Sequence, residues 1–133
     1  MATIHDVRTY DDVRGIAAAH RMSGLPVLLE FHAVERCAPC KAVWPTVAST
    51  ATQGRVAALL TADIDDCPEL AADMGVVKLP TFVLFRGGAE VGRVVGADMT
   101  RLDVAIYSSS GGSSSDEFDP YSCEEARFYS SSP

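Results

Sequence analysis

The chain has 133 residues, 47% hydrophobic and 22% charged, which is enough for one domain with a real core and too little for two ordinary ones. Its formal net charge of −7 argues against the basic surface that nucleic acid requires, and no apolar run approaches the roughly 18 residues of a membrane span. Met1-Ala2-Thr3-Ile4-His5-Asp6 has neither the basic start nor the apolar block of a secretory signal, so a cytoplasmic location with no membrane and no nucleic-acid partner is expected.

Ala2 to Val7 reads as a short first strand. Thr9 with Asp12 three residues on is a helix start, and Val13, Ile16, Ala17 and His20 follow at helical spacing. This helix should end between Arg21 and Gly24, ahead of Pro26. Pro26 to Ala33 has the apolar density of a strand buried on both faces, and it leads into Cys37-Ala38-Pro39-Cys40. Lys41 to Thr52 is a helix with apolar residues at 43, 44, 47 and 48, which Pro45 should interrupt and kink. Val56 to Leu60, with Ala62 and Ile64, is a strand ending among Asp63, Asp65 and Asp66, and Pro68 to Met74 is a short helix closed by Gly75. Thr81 to Phe85 and Glu90 to Val95 flank the hairpin turn Arg86-Gly87-Gly88-Ala89. Asp98 or Thr100 caps a last helix with Leu102, Val104, Ala105 and Ile106 on its apolar face. The order predicts an α/β domain: a mixed sheet of about five strands flanked by about four helices, parallel in its crossover part and antiparallel in its hairpin.

Composition divides the chain into a domain at 1–107, a Ser/Gly linker at 108–115 and an acidic tail at 116–133. Residues 108–133 hold five acids and one Arg, so −4 of the net charge lies there. The tail also carries Phe118, Tyr121, Cys123, Phe128 and Tyr129, more than a flexible spacer needs.

Four cysteines without a signal sequence argue against a structural disulfide framework, and one close pair with two isolated cysteines is not the spacing of a four-thiolate zinc site. Neither metal nor organic cofactor is expected. What remains is redox chemistry at Cys37 and Cys40. Two thiols at i and i+3 share one face where a helix starts between them, and free backbone N–H groups there favour a thiolate. Cys37 is then the attacking thiol and Cys40 the resolving one. Pro39 suits a first helical turn, and Arg36 adds a cation expected to favour the Cys37 thiolate.

Five ordered blocks carry a resemblance: Val27-Leu28-Leu29-Glu30-Phe31, Cys37-Ala38-Pro39-Cys40-Lys41, Asp63-Ile64-Asp65-Asp66-Cys67, Leu79-Pro80-Thr81-Phe82 and Phe85-Arg86-Gly87-Gly88. From about Thr3 to Tyr107 the chain resembles the thioredoxin family, its eukaryotic members in particular through Val91 to Ala97. The resemblance implies a thioredoxin fold and a protein-disulfide oxidoreductase, acting as a monomer on protein disulfides and regenerated by a thioredoxin reductase or other dithiol donor. It also implies that Pro80 is cis and shapes the peptide groove beside the cysteines. Glu30 takes the place of the family's buried acid, normally Asp, which exchanges a proton with the second cysteine; burial should raise its pKa. Substrate should lie along Arg36, Ala38, Pro39, Leu79, Val95, Gly96 and Ala97.

The pattern is broken at three places. Arg36 stands where thioredoxins usually carry Trp, Ala38 where they carry Gly, and Phe31 to Arg36 is one residue longer than the family's connection. Trp44 lies past the motif and does not simply replace the missing aromatic, while His32 is read as structural. Cys67 is a candidate for oxidation or dimerisation, although its acidic neighbours disfavour a thiolate. Cys123 lies sixteen steps from Tyr107, an r.m.s. span of roughly 20 to 24 Å for such a chain, so the tail can reach the active site as a captive substrate or redox cap. The reading from another class is a thioredoxin-fold peptide-binding or regulatory module with little turnover.

Overall fold

The computed structural model describes residues 2–110. In chain order it contains β1 (Thr3–Asp6), α1 (Tyr10–Ala19), β2 (Val27–His32), α2 (Ala38–Thr52), β3 (Ala58–Asp63), α3 (Pro68–Asp73), β4 (Thr81–Arg86), β5 (Ala89–Val95) and α4 (Met99–Ser109). This is the order read from the sequence. The strands form one mixed sheet in the order β1-β3-β2-β4-β5, with β1 and β2 parallel to β3 and the β4–β5 hairpin antiparallel to β2.

Side chains alternate along β2, and each face of the sheet has its own core. Val27, Leu29 and Phe31 pack with Val13 and Ala17 of α1 and Leu70 and Ala71 of α3. Leu28 lies on the other face with Val43 and Val47 of α2 and Leu102 and Ile106 of α4. Glu30, two residues on from Leu28, shares that second face.

Local chemistry sets the element ends. Thr9 and Asp12 form a reciprocal capping box at α1, and Asp98 caps α4 by accepting the Arg101 N–H at 3.1 Å. Gly87 and Gly88 both have positive φ, 65° and 86°, as a two-residue turn matched to strand twist requires.

Helix α2 begins at Ala38, between the two cysteines as their spacing implied, so Ala38, Pro39 and Cys40 form its first turn. It continues through Pro45 as one element; the proline removes one ladder donor without ending the helix. Ser108 and Ser109, read as linker, complete α4: the Ser109 and Ser110 hydroxyls donate to the Ala105 and Ile106 carbonyls, and Arg86 donates to the Ser109 carbonyl at 3.1 Å. Residues 111–133, including Cys123, lie outside the described residues.

Candidate functional site

The topology brings four chain ends to one pole of the sheet. Strand β2 ends there and leads to α2, and parallel β3 ends beside it. Because β4 runs the other way, its first residue Thr81 pairs with Phe31 near the end of β2, and Val95 at the end of β5 pairs with Thr81. Pro80 and Gly96 therefore arrive at the same pole as Cys37.

Cys37 is the N-cap of α2, with an extended backbone (φ −109°, ψ 95°), and its Sγ accepts the Cys40 N–H at 3.1 Å. The preceding loop curls so that the Ala33 carbonyl accepts N–H groups from both Arg36 (3.3 Å) and Cys37 (3.0 Å). Cys37 and Cys40 form a disulfide, with Cα atoms 5.3 Å apart. They pack with Ala33, Ile64 and Leu79. Cys37 is 7% exposed and Cys40 3%, and the exposed Ala38 and Pro39 lie between them. When the bond opens, a Cys37 thiolate sits on the N-terminal N–H groups of a 15-residue helix, where the helix dipole favours negative charge.

The Leu79–Pro80 peptide bond is cis, as the resemblance implied. Gly96 donates its N–H to the Pro80 carbonyl at 2.8 Å and has a φ of +103°. Around this contact Ala38, Pro39, Val95 and Ala97 are exposed, and Leu79 and Gly96 are half-buried.

Glu30 is fully buried, and among the described residues neither of its carboxylate oxygens has a hydrogen-bond partner. Its neighbours across the ladder are Thr61 and Phe82. Thr61 directs its hydroxyl to Asp6 at 3.5 Å, and Phe82 has no donor to offer. Burial pushes the Glu30 pKa up to about 8, so the carboxyl is largely neutral at pH 7.

The thioredoxin family model matches residues 17–107. The chain belongs to the thioredoxin family. It is 36% identical over 115 residues to Thioredoxin H2-1 of Oryza sativa subsp. japonica, covering 86% of this chain and 80% of that one. It is 44% identical over 79 residues to a bifunctional thioredoxin reductase/thioredoxin of Mycobacterium leprae, a match spanning 56% of this chain and 16% of the relative. A mutant thioredoxin from Halobacterium salinarum has a similar structure, with a TM-score of 0.69, 30% identity, and 82% of this chain and 91% of that chain covered. With a disulfide-forming pair at the family's active site, this thioredoxin is a protein-disulfide oxidoreductase.

Two sequence expectations need correction. Arg36 does not act as a free cation beside Cys37. Its Nε–H donates to both Asp65 carboxylate oxygens at 3.2 and 3.1 Å, and its Nη2 donates to Oδ1 at 2.9 Å. The hydrogen bonds and charge of Asp65 hold Arg36 above its ordinary pKa. Nor is Cys67 a surface thiol fit for dimerisation: it is 4% exposed, its Sγ–H donates to the Asp63 carbonyl at 3.2 Å, and burial pushes its thiol pKa up.

Residue spacing conceals two further features. A cavity of about 390 Å³ opens beside Cys40, lined by His32, Ala33, Val34, Lys41, Trp44 and Thr61 among others. Trp44, one helical turn after Cys40, thus supplies an aromatic wall on the α2 side, and the i, i+4 spacing was the available signal. Asp63 accepts the Val34 N–H at 3.3 Å and the Asp65 N–H at 2.9 Å, joining the loop before Cys37 to the loop after β3. Nothing in the acidic run 63–66 identifies that partner in advance.

Proposed function

We propose that this thioredoxin reduces protein disulfides by two successive thiol–disulfide exchanges. The Cys37 thiolate attacks one substrate sulfur, forming a mixed disulfide and releasing the other sulfur as a thiolate. Cys40 gives its proton to the ionised Glu30 carboxylate and attacks Cys37 Sγ. The Cys37–Cys40 disulfide forms, the second substrate thiolate leaves, and two electrons have passed to the substrate. Pro80 shapes the groove, and an extended polypeptide lies along Ala38, Pro39, Leu79, Val95, Gly96 and Ala97, with Arg36 at its edge. The single observation that carries this reading is the Cys37–Cys40 disulfide at the start of α2, on the same pole as cis-Pro80.

A thioredoxin reductase or another dithiol donor restores the dithiol. The Mycobacterium leprae relative, whose name joins the two activities in one chain, supports the first. The protein works as a monomer in the cytoplasm, a compartment reducing enough to keep the pair cycling. The test is reduction of an insulin-type disulfide substrate by dithiothreitol, followed by turbidity. The wild-type protein should accelerate it, Cys37→Ser should not, and Cys40→Ser should accumulate a mixed disulfide detectable by mass. A folded wild-type protein with no acceleration refutes the proposal.

A further inference from the structure

Asp65 takes no part in the exchange itself, yet it holds the one cation in the loop that delivers Cys37. We propose that Asp65 is a positioning residue: by fixing the Arg36 guanidinium in a two-point bridge it keeps that cation off Cys37, and so sets how readily the Cys37 thiolate forms and how oxidising the pair is. The inference rests on Cys37 being the attacking thiol.

The bridge uses Nε and Nη2, the fork edge of the guanidinium, on both carboxylate oxygens. Its carboxylate is placed by backbone, because Asp63 binds the Asp65 N–H and the Val34 N–H together, and the Ile64 N–H donates to the His32 carbonyl at 2.9 Å. The loop after β3 thus presents Asp65 to the residue immediately before Cys37. Arg36 and Asp65 side chains are 59% and 43% exposed, and an ion pair this wet adds little stability. Its consequence is the location of charge.

The elements packed against Cys37 are those carrying Ile64 and Leu79. The charged or titratable groups on these and the adjoining elements are Glu35 and Arg36 on its own loop, Lys41 on α2, Asp63, Asp65, Asp66 and the buried Cys67 after β3, Lys78 before Pro80, and Glu30 and His32 on β2. Asp63 is satisfied by backbone N–H groups, and Asp66 lies 3.8 Å from Arg8. Glu30 is largely neutral at pH 7. Within this set the Arg36–Asp65 pair is the balance that a single substitution upsets.

The experiment reads the pH dependence of Cys37 alkylation by iodoacetamide in the fully reduced protein, located by mass spectrometry, for Asp65→Asn, Arg36→Ala and the double variant. Asp65→Asn removes an anion and frees a cation, and both changes favour the thiolate. The Cys37 pKa should fall by about half to one unit, a three- to tenfold faster alkylation near pH 6. Arg36→Ala should move it upward. In the Arg36→Ala background, Asp65→Asn should shift it less than half as far. Arg36→Lys, which keeps the charge but lacks the fork, should resemble Asp65→Asn in direction. Equal Asp65→Asn shifts in the two backgrounds, or none in either, overturn the positioning role. If Cys40 alkylates before Cys37, the assignment of the attacking thiol falls and this inference with it. Far-UV circular dichroism identifies any variant that does not fold, and Arg36→Lys then carries the comparison.

Discussion

Glu30→Gln should change the pH dependence of stability more than any other single substitution. The Glu30 pKa is raised from 4.5 to about 8 by burial. Below 4.5 the carboxyl is protonated in folded and unfolded chains alike, and it adds no pH dependence. Between 4.5 and 8 the unfolded chain ionises while the folded chain keeps its proton, so stability falls as pH rises. The slope is about 1.36 kcal/mol per pH unit, which by pH 7 amounts to about 3 kcal/mol and by pH 8, where half of the folded carboxyl has ionised, to about 4. Glutamine has the same shape and does not titrate. Urea unfolding of the oxidised protein at intervals from pH 5 to 9 should therefore show wild type losing stability relative to Glu30→Gln, by about 3 kcal/mol between pH 5 and 7.5, with the difference levelling off above pH 8. Two curves that stay parallel across this range would mean that Glu30 titrates like an exposed carboxylate, and the argument from its burial would fail.

The same group should govern resolution. With Cys40 passing its proton to ionised Glu30 in the proposed mechanism, decay of a trapped mixed disulfide should quicken as pH rises toward about 8, and Glu30→Gln should slow that decay at least tenfold. Gly96→Ala should cost about 1–3 kcal/mol in urea unfolding and raise the KM for a peptide disulfide, since a φ of +103° is one that L side chains rarely adopt; unchanged stability would contradict this. Trp44 is the sole tryptophan and lines the cavity beside Cys40, so its fluorescence should rise when the disulfide is reduced, with no such change in Cys40→Ser. Cys67 should alkylate at least tenfold more slowly than Cys37 in the native reduced protein and become reactive only on unfolding, as peptide mapping would show.

Much of the fold could be read because its signals are local and agree with one another. Thr9 with Asp12, Gly87 with Gly88, and Pro39 between two cysteines each specify one backbone conformation, and the apolar runs of β2 and β4 mark central strands. The acid at Glu30 and the proline at Pro80 could be placed because they belong to ordered blocks that resemble a family. The partner of Arg36 could not. It lies 29 residues away, and nothing in sequence separates a guanidinium facing Cys37 from one facing Asp65. Burial of Cys67 was hidden for the same kind of reason: its acidic neighbours suggest a wet loop, whereas the thiol turns inward to the Asp63 carbonyl. Ser108 and Ser109 read as linker because composition says nothing of hydroxyls that close a helix end by bonding back to carbonyls four residues earlier.

The two proposed controls on the cysteine pair differ electrically. Glu30, buried on the sheet face that α2 covers, forfeits about 3 kcal/mol at pH 7 in a domain whose whole margin is of the order of 5–15 kcal/mol. A neutral side chain of similar volume would avoid that loss, so stability does not account for the acid. The proposed role as proton acceptor for the resolving thiol does, because a carboxyl with a pKa near 8 matches a thiol far better than one near 4.5. At the surface every acid of the run 63–66 has a partner, and the cation nearest Cys37 in sequence is bound by one of them. Charge that would act on the attacking sulfur is balanced outside, while the carboxyl proposed to act on the resolving sulfur is held mostly neutral inside and takes the proton only in its ionised fraction. The two thiols, three residues apart, can therefore be tuned independently: Asp65 and Arg36 should shift Cys37 reactivity and leave the pH dependence of mixed-disulfide decay unchanged, and Glu30 should do the reverse. Measuring both quantities on Asp65→Asn and Glu30→Gln checks this, and a variant that moves both together would show that the two sulfurs share a single electrostatic control.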